Sequence, residues 1–254
     1  MSTEDHALAR DLAAEAGRRL LELRARGGEP DLLRKAGDRQ SHEFLTAALA
    51  ECRPGDVVLS EEGADSPARL TAGRVWIVDP LDGTREFGEP GRTDWAVHVA
   101  LWQRTRGGGL TAGAVALPAR GQVLSTATPA GPPPSGTGPG RVRIVVSRTR
   151  APRLVRDISD LIDAELAPLG SAGAKVAAVI CGEADAYVHA GGFYEWDTAA
   201  PVAVARAAGY HASRIDGSPL AYNQANPKMP DILVCRPALA GPLLKAIREV
   251  THAP

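Results

Sequence analysis

Nine consecutive residues, Trp76-Ile77-Val78-Asp79-Pro80-Leu81-Asp82-Gly83-Thr84, hold the groups best suited to chemistry. An apolar run reads as a buried strand that ends in two carboxylates three positions apart. The proline between them fixes φ and stops the strand. Asp79, Asp82 and the Leu81 carbonyl can then turn toward one point, an oxygen-only set that suits a hard cation such as Mg²⁺. Gly83-Thr84 offers free backbone N–H groups where a phosphate would be welcome. The plainer reading is an Asp-Pro turn with an Asp-Gly tip, a common way to end a strand.

Two further acidic segments could join them. Ser60-Glu61-Glu62 follows the apolar run Val57-Val58-Leu59, so Glu61 would emerge from the same sheet edge, either as a third ligand or as part of a solvated acidic turn. Glu195-Trp196-Asp197-Thr198 opens an Ala-rich helix, where Asp197 is placed as an N-cap, a role compatible with metal binding.

These residues need elements to hold them. Leu8, Leu12, Ala16, Leu20 and Leu23 recur at helical spacing until Gly27-Gly28 and Pro30, predicting one long N-terminal helix. A second helix is expected from Ser41, as a possible N-cap, to Cys52, with Asp38 in the loop ahead of it. Strands are expected at 57–59, 75–78, 95–102, 111–117 and 122–126. A Pro/Gly-rich stretch at 131–140 reads as an exposed linker. Beyond it we expect a strand at 142–146, helices at about 153–166 and 172–181, a short strand at 186–189, a helix at about 198–208 and a strand at 232–235. The fold class is α/β, with an α+β half over 1–130 and an α/β half over 141–254.

Composition narrows the partners. With 29 basic and 30 acidic residues the net charge is -1, so no single-sign field exists to hold a nucleic acid polymer or an anionic membrane. No run of about 18 apolar residues could span a bilayer, and the acidic start lacks a signal-peptide pattern. We expect a soluble cytoplasmic protein, and any phosphate it binds, as on a small phosphorylated substrate, must be gripped locally. Cys52, Cys181 and Cys235 are far apart and read as incidental thiols. His98, inside a strand, reads as a core or sheet-face residue.

Ser60-Glu61-Glu62, Asp79-Pro80-Leu81-Asp82-Gly83-Thr84 and Trp196-Asp197-Thr198-Ala199-Ala200, in this order, resemble the signature of the inositol monophosphatase family of Mg²⁺-dependent, lithium-sensitive phosphatases. Arg85-Glu86-Phe87, Ser147-Arg148-Thr149-Arg150 and Gly170-Ser171-Ala172-Gly173-Ala174-Lys175 look more like its CysQ-type 3′(2′),5′-bisphosphate nucleotidase branch. The resemblance implies a layered αβαβα sandwich with the site between the halves. It assigns one Mg²⁺ to Glu61, Asp79 and the Leu81 carbonyl, a second to Asp79, Asp82 and Asp197, and a third, weaker ion to Glu61, with Mn²⁺ as a possible substitute.

Within that scheme Thr84 would orient the attacking water and Asp38 or Glu61 would take its proton. Gly83 and Thr84 N–H groups would hold the phosphoryl oxygens, with Asp82 and Asp197 also facing the substrate. Arg148, Ser171 and Lys175 are candidates for the rest of a bisphosphorylated nucleotide, and Arg85 is a lesser one. A solvent-facing Arg148 and a helix-surface Lys175 are the plainer alternatives. The implied reaction is removal of the 3′-phosphate of 3′-phosphoadenosine 5′-phosphate, in sulfate assimilation. Inositol monophosphate and fructose 1,6-bisphosphate are the alternative substrates, and a nucleotide-sensing protein is the non-enzymatic one. A haloacid-dehalogenase-like mechanism fits less well, because its two aspartates are separated by one residue and here two intervene. A homodimer is expected from the family alone.

Overall fold

The computed structural model describes residues 3–131, 140–149 and 151–251. Two long helices come first, α1 (Thr3–Ala25) and α2 (Pro30–Cys52). Ala9, Leu12, Ala13, Ala16 and Leu20 form the buried stripe of α1, as the periodicity predicted. The start of α2 corrects the reading: the helix begins at Pro30, not Ser41. Proline is favoured in a first turn, where its missing N–H has no partner to lose, and the Glu29 side chain caps the helix by accepting from Leu32 N at 2.9 Å. Asp38 therefore stands inside a helix rather than in a loop. Ser41, 2% exposed, is no cap but donates its hydroxyl to Pro80 O at 2.7 Å, tying α2 to the acidic strand end.

The first sheet has the order β1 (Val57–Ser60), β2 (Arg74–Asp82), β3 (Ala96–Gln103), β4 (Gly109–Leu117), β5 (Gln122–Ser125), with a short helix α3 (Thr84–Gly88) after β2. β1 lies at its edge and pairs only with β2, in parallel, Leu59 opposite Ile77 and Ser60 opposite Val78. Glu61, the residue after β1, consequently comes beside Asp79, its N–H donating to Val78 O. The β2–β3 ladder carries a register shift: Asp79 faces His98 but Asp82 faces Ala96, so one extra residue is accommodated around Pro80-Leu81. In a regular strand, residues three apart point to opposite faces; the extra residue lets both aspartates reach the same side.

The second sheet is built from β6 (Arg143–Ser147), β7 (Glu165–Leu169), β8 (Ala186–Tyr194), β9 (His211–Ser213) and β10 (Lys228–Cys235), in the order β7-β6-β8-β10-β9. Its helices are α4 (Arg153–Ile162), α5 (Ala172–Ile180), α6 (Glu195–Ala207) and α7 (Pro237–Thr251). Where the sequence predicted one helix through Leu166, α4 stops at Ile162 because Asp163 turns into the left-handed region at φ 51°, and residues 165–169 become a strand. Pro168 is tolerated there because β7 is an edge strand. β8 runs on to Tyr194, five residues past the expected end.

Three hydrophobic clusters set the layers. Leu12, Leu20 and Leu45 of α1 and α2 cover Trp76 and Val78 on one face of the first sheet. Val75 and Ile77, on the other face, meet Val176 and Val179 of α5 and Val202 and Val204 of α6, which also bury Tyr187, Ile232 and Val234 of the second sheet. Val155 and Ile158 of α4, with Leu239, Leu243 and Ile247 of α7, cover its far side. The order is helix, sheet, helix, sheet, helix. Most of the Pro/Gly linker, residues 132–139, and Arg150 lie outside the described residues. Among the described residues no helix is long and apolar enough to cross a membrane, and Cys52, Cys181 and Cys235 are free thiols.

Candidate metal centre

Where the end of β2 meets the N-terminal turns of α5 and α6, acidic side chains from separate elements converge. Asp79 is almost wholly buried; its Oδ1 accepts from Leu81 N at 3.0 Å, while its Oδ2 is buried with no hydrogen-bond partner. Burial, then the charges of Glu61, Asp82 and Asp197, push the Asp79 carboxyl well above its ordinary range. Glu61 keeps exposed surface, yet burial of its carboxyl and the charge of Asp197 raise it to about 7. Asp197 is raised to about 7 by burial and then by Asp82. Four acids have been gathered with too little positive charge to balance them.

Asp82 differs. Burial pushes its carboxyl up, but His98, Ser171 and the Gly173 N–H outweigh burial and hold it below its ordinary value. Its Oδ2 accepts from Ser171 Oγ at 2.5 Å and Gly173 N at 2.7 Å, with His98 Nε2 at 3.2 Å. Ser171 caps α5 by accepting from Ala174 N, and its φ of 38° is unusual for a residue with a side chain. Asp197 is the third residue of α6 rather than its cap: Tyr194 is the N-cap residue, and Asp197 Oδ2 accepts from Tyr194 N at 2.6 Å. The capping function foreseen for it is performed from one turn further in.

The remaining expected residues fall into two groups. Thr84 opens α3 beside Gly83, and its hydroxyl lies 3.2 Å from Asp38 Oδ1 and 3.0 Å from Leu81 O. Asp38 is raised to about 6, first by burial and then by Glu62. The residues expected to reach the rest of the substrate are engaged inside the protein. Lys175, 5% exposed, donates its ammonium to Gly170 O and Ser171 O, each at 2.8 Å. Arg148 is bound to Glu86 and Glu89 of the α3 region. Arg85 stands exposed with no salt bridge to the described residues. Beside Arg148, a cavity of about 630 Å³ is lined by Ser147, Thr149, Arg156, His189 and Gly191 among others.

One residue that the sequence left in the core belongs to the site. His98 is 0% exposed, and one ligand atom from each of Asp79, Asp82 and His98 lies within 4.8 Å of the others. Alternation along Ala96-His98-Ala100 puts His98 on one face of β3, but only its pairing with Asp79 across the β2–β3 ladder turns it to the acids.

The donor set fits a hard divalent cation: carboxylate oxygens from separate elements, one of them buried and unpartnered, their affinity for protons raised by one another. The fold and this centre define a member of a metal-dependent phosphatase family, and residues 5–252 match the inositol monophosphatase family, to which the chain belongs. A protein of Mycobacterium leprae named 3′-phosphoadenosine 5′-phosphate phosphatase is 53% identical, covering 97% of this chain and 94% of its own length. The Escherichia coli 3′(2′),5′-bisphosphate nucleotidase CysQ is 33% identical over 74% of this chain and 78% of its own. Among solved structures, inositol monophosphatase II of Staphylococcus aureus shares the fold with a TM-score of 0.82, covering 99% of this chain and 98% of its own at 23% identity.

Proposed function

We propose that the chain is a Mg²⁺-dependent phosphatase that removes the 3′-phosphate of 3′-phosphoadenosine 5′-phosphate, leaving AMP and inorganic phosphate. The observation that carries the reading is the buried, partnerless Asp79 Oδ2 among Glu61, Asp82 and Asp197. The relative at 53% identity supports the choice of substrate. Two or three Mg²⁺, or Mn²⁺ in their place, would be held by Glu61, Asp79, the Leu81 carbonyl, Asp82 and Asp197. Bound there, the cations acidify a water and stabilise charge on the attacking and leaving oxygens.

The protein's own part is orientation and proton transfer. Thr84 has one hydroxyl proton for two acceptors, Leu81 O and Asp38 Oδ1. Donating it to either leaves its oxygen free to accept from the nucleophilic water. Asp38, raised to about 6, is mostly ionised at neutral pH and basic enough to take a proton, with Glu61 the alternative acceptor. Backbone N–H groups of Gly83 and Thr84 would face the phosphoryl oxygens. The cavity beside Arg148 has room for a nucleoside. In this reading the 1–130 half supplies Glu61, Asp79 and Asp82, the 141–254 half supplies Asp197, and residues 131–140 join them. A cytoplasmic homodimer serving sulfate assimilation completes it, the localisation read from the sequence and the rest from the family likeness.

Phosphate release from 3′-phosphoadenosine 5′-phosphate, inositol monophosphate and fructose 1,6-bisphosphate, measured side by side with Mg²⁺ and then with added Li⁺, tests the proposal. The adenosine bisphosphate should give the highest kcat/KM, and Li⁺ should inhibit. A preference for inositol phosphate would replace the substrate, and no release from any of the three would leave a sensor.

A further inference from the structure

We infer that His98 is a positioning residue that holds Asp82 and the first turn of α6 in one frame, so that the carboxylates of β2 and α6 face the same cation. The inference rests on reading the acidic cluster as a divalent-cation centre, and it adds a residue that none of the family motifs contains.

The geometry is that of a brace. His98 sits midway along β3, and its inward-facing neighbours Ala96 and Ala100 are apolar. An apolar side chain would fill that position without any need for polar partners. The imidazole instead has a polar group at each nitrogen: Nδ1 is hydrogen-bonded to Trp196 O at 3.1 Å, and Nε2, which has no hydrogen bond, lies in ion-pair contact with Asp82 Oδ2 at 3.2 Å. Trp196 immediately precedes Asp197. The ring thus bridges the end of the acidic strand in the first sheet to the helix that carries the acid of the second. The role inferred for His98 is to place Asp82 and α6, not to hold the cation itself.

The surroundings are shaped to the ring. A Cβ at Gly173 would come within 2.1 Å of His98 Nε2, so the first turn of α5 reaches this position only as glycine. The N–H of Gly173 is in turn one of the donors to Asp82 Oδ2. Ser171 Oγ, Gly173 N and His98 therefore gather one carboxylate oxygen of Asp82, which would leave its other oxygen for the cation. Partners of this outer kind fix the orientation of a ligating group, and their loss typically weakens metal affinity about 10–100-fold.

Three variants test the brace. His98→Phe keeps the ring and removes both nitrogens, His98→Gln places an amide nitrogen where Nε2 stands, and His98→Asn places one where Nδ1 stands. Mn²⁺ binding is read by electron paramagnetic resonance titration, beside kcat, KM and the thermal midpoint. His98→Phe should weaken Mn²⁺ binding at least about tenfold and lower kcat with little change in KM, and His98→Gln should retain more affinity than His98→Asn. A residue that only fills the core would lower the thermal midpoint and leave the Mn²⁺ affinity of the folded protein where it was. Mn²⁺ binding by His98→Phe equal to that of the unaltered protein overturns the inference; should that variant not fold, equal binding by both amide variants does so. Equal binding would leave the proposed activity standing. An unaltered chain that binds Mn²⁺ but releases no phosphate from the three esters sinks the activity and leaves His98 to be judged by the titration.

Discussion

Asp79 and Asp82 are three residues apart, yet their carboxylates are held in opposite ways. The Asp79 Oδ2 has no hydrogen bond and, besides other acids, faces only His98 Nδ1 at 3.9 Å, whereas Asp82 Oδ2 accepts from two donors and touches a third. Neutralising each should therefore shift stability in opposite directions. Asp79→Asn or Asp197→Asn should raise the thermal midpoint of the metal-free protein by relieving repulsion, and Asp82→Asn should lower it by weakening charge-assisted bonds. All three should reduce kcat/KM by more than about a hundredfold, beyond the range for outer partners. Calorimetry of the metal-free variants beside phosphate release checks both halves. The acids were legible because D-P-L-D-G-T carries its chemistry in adjacent residues. His98 was not, because its partners, Asp82 and Trp196, lie 16 and 98 residues away and only pairing of the strands brings them together.

At the scale of elements, the turn from β7 into α5 holds the site against its own strain. Gly170 has Asp94 on its N–H and Lys175 on its carbonyl, and a Cβ there would lie 2.4 Å from Glu86 Cγ. Gly170→Ala should destabilise the fold by about 1–3 kcal/mol through overpacking, measurable by urea unfolding. Lys175→Met would leave the Gly170 carbonyl without its donor and the Ser171 carbonyl with the backbone N–H of residue 175 alone. It should destabilise by about 1–3 kcal/mol and depress kcat more than it raises KM. A raised KM with unchanged stability would instead make Lys175 a substrate contact. Helices and central strands were readable from apolar spacing, but ends were not: Pro30 could stop one helix or start the next, and nothing before Glu165 announced a strand where Asp163 breaks the helix.

For the whole molecule, the acidic cluster links stability to pH and to metal. Glu61 and Asp197, near 7 in the fold against ordinary values of 4.5 and 3.8, and Asp38, near 6, keep protons that the unfolded chain has already released. Between those limits the folded state binds more protons, so the metal-free protein should lose stability as pH rises from about 5 to 7.5. His98 acts in the same direction, because its raised value contributes stability that is lost as pH rises through it, and Asp82, held low, titrates below this window. Mg²⁺ should offset the loss, raising the thermal midpoint more at pH 7.5 than at 5.5. The five layers were foreseeable from family likeness alone, the alternation of strands and helices showing only an α/β second half, whereas the meeting of the halves at one point was not written in any single segment. Glu61 enters that point on a ribbon of four residues with one hydrogen-bonded neighbour, β2. Its amides can open to solvent without disturbing Asp79, Asp82 or Asp197. Deuterium uptake at residues 57–60 should accordingly slow when a divalent ion is added, making the outermost strand a reporter of occupancy at the protein's centre.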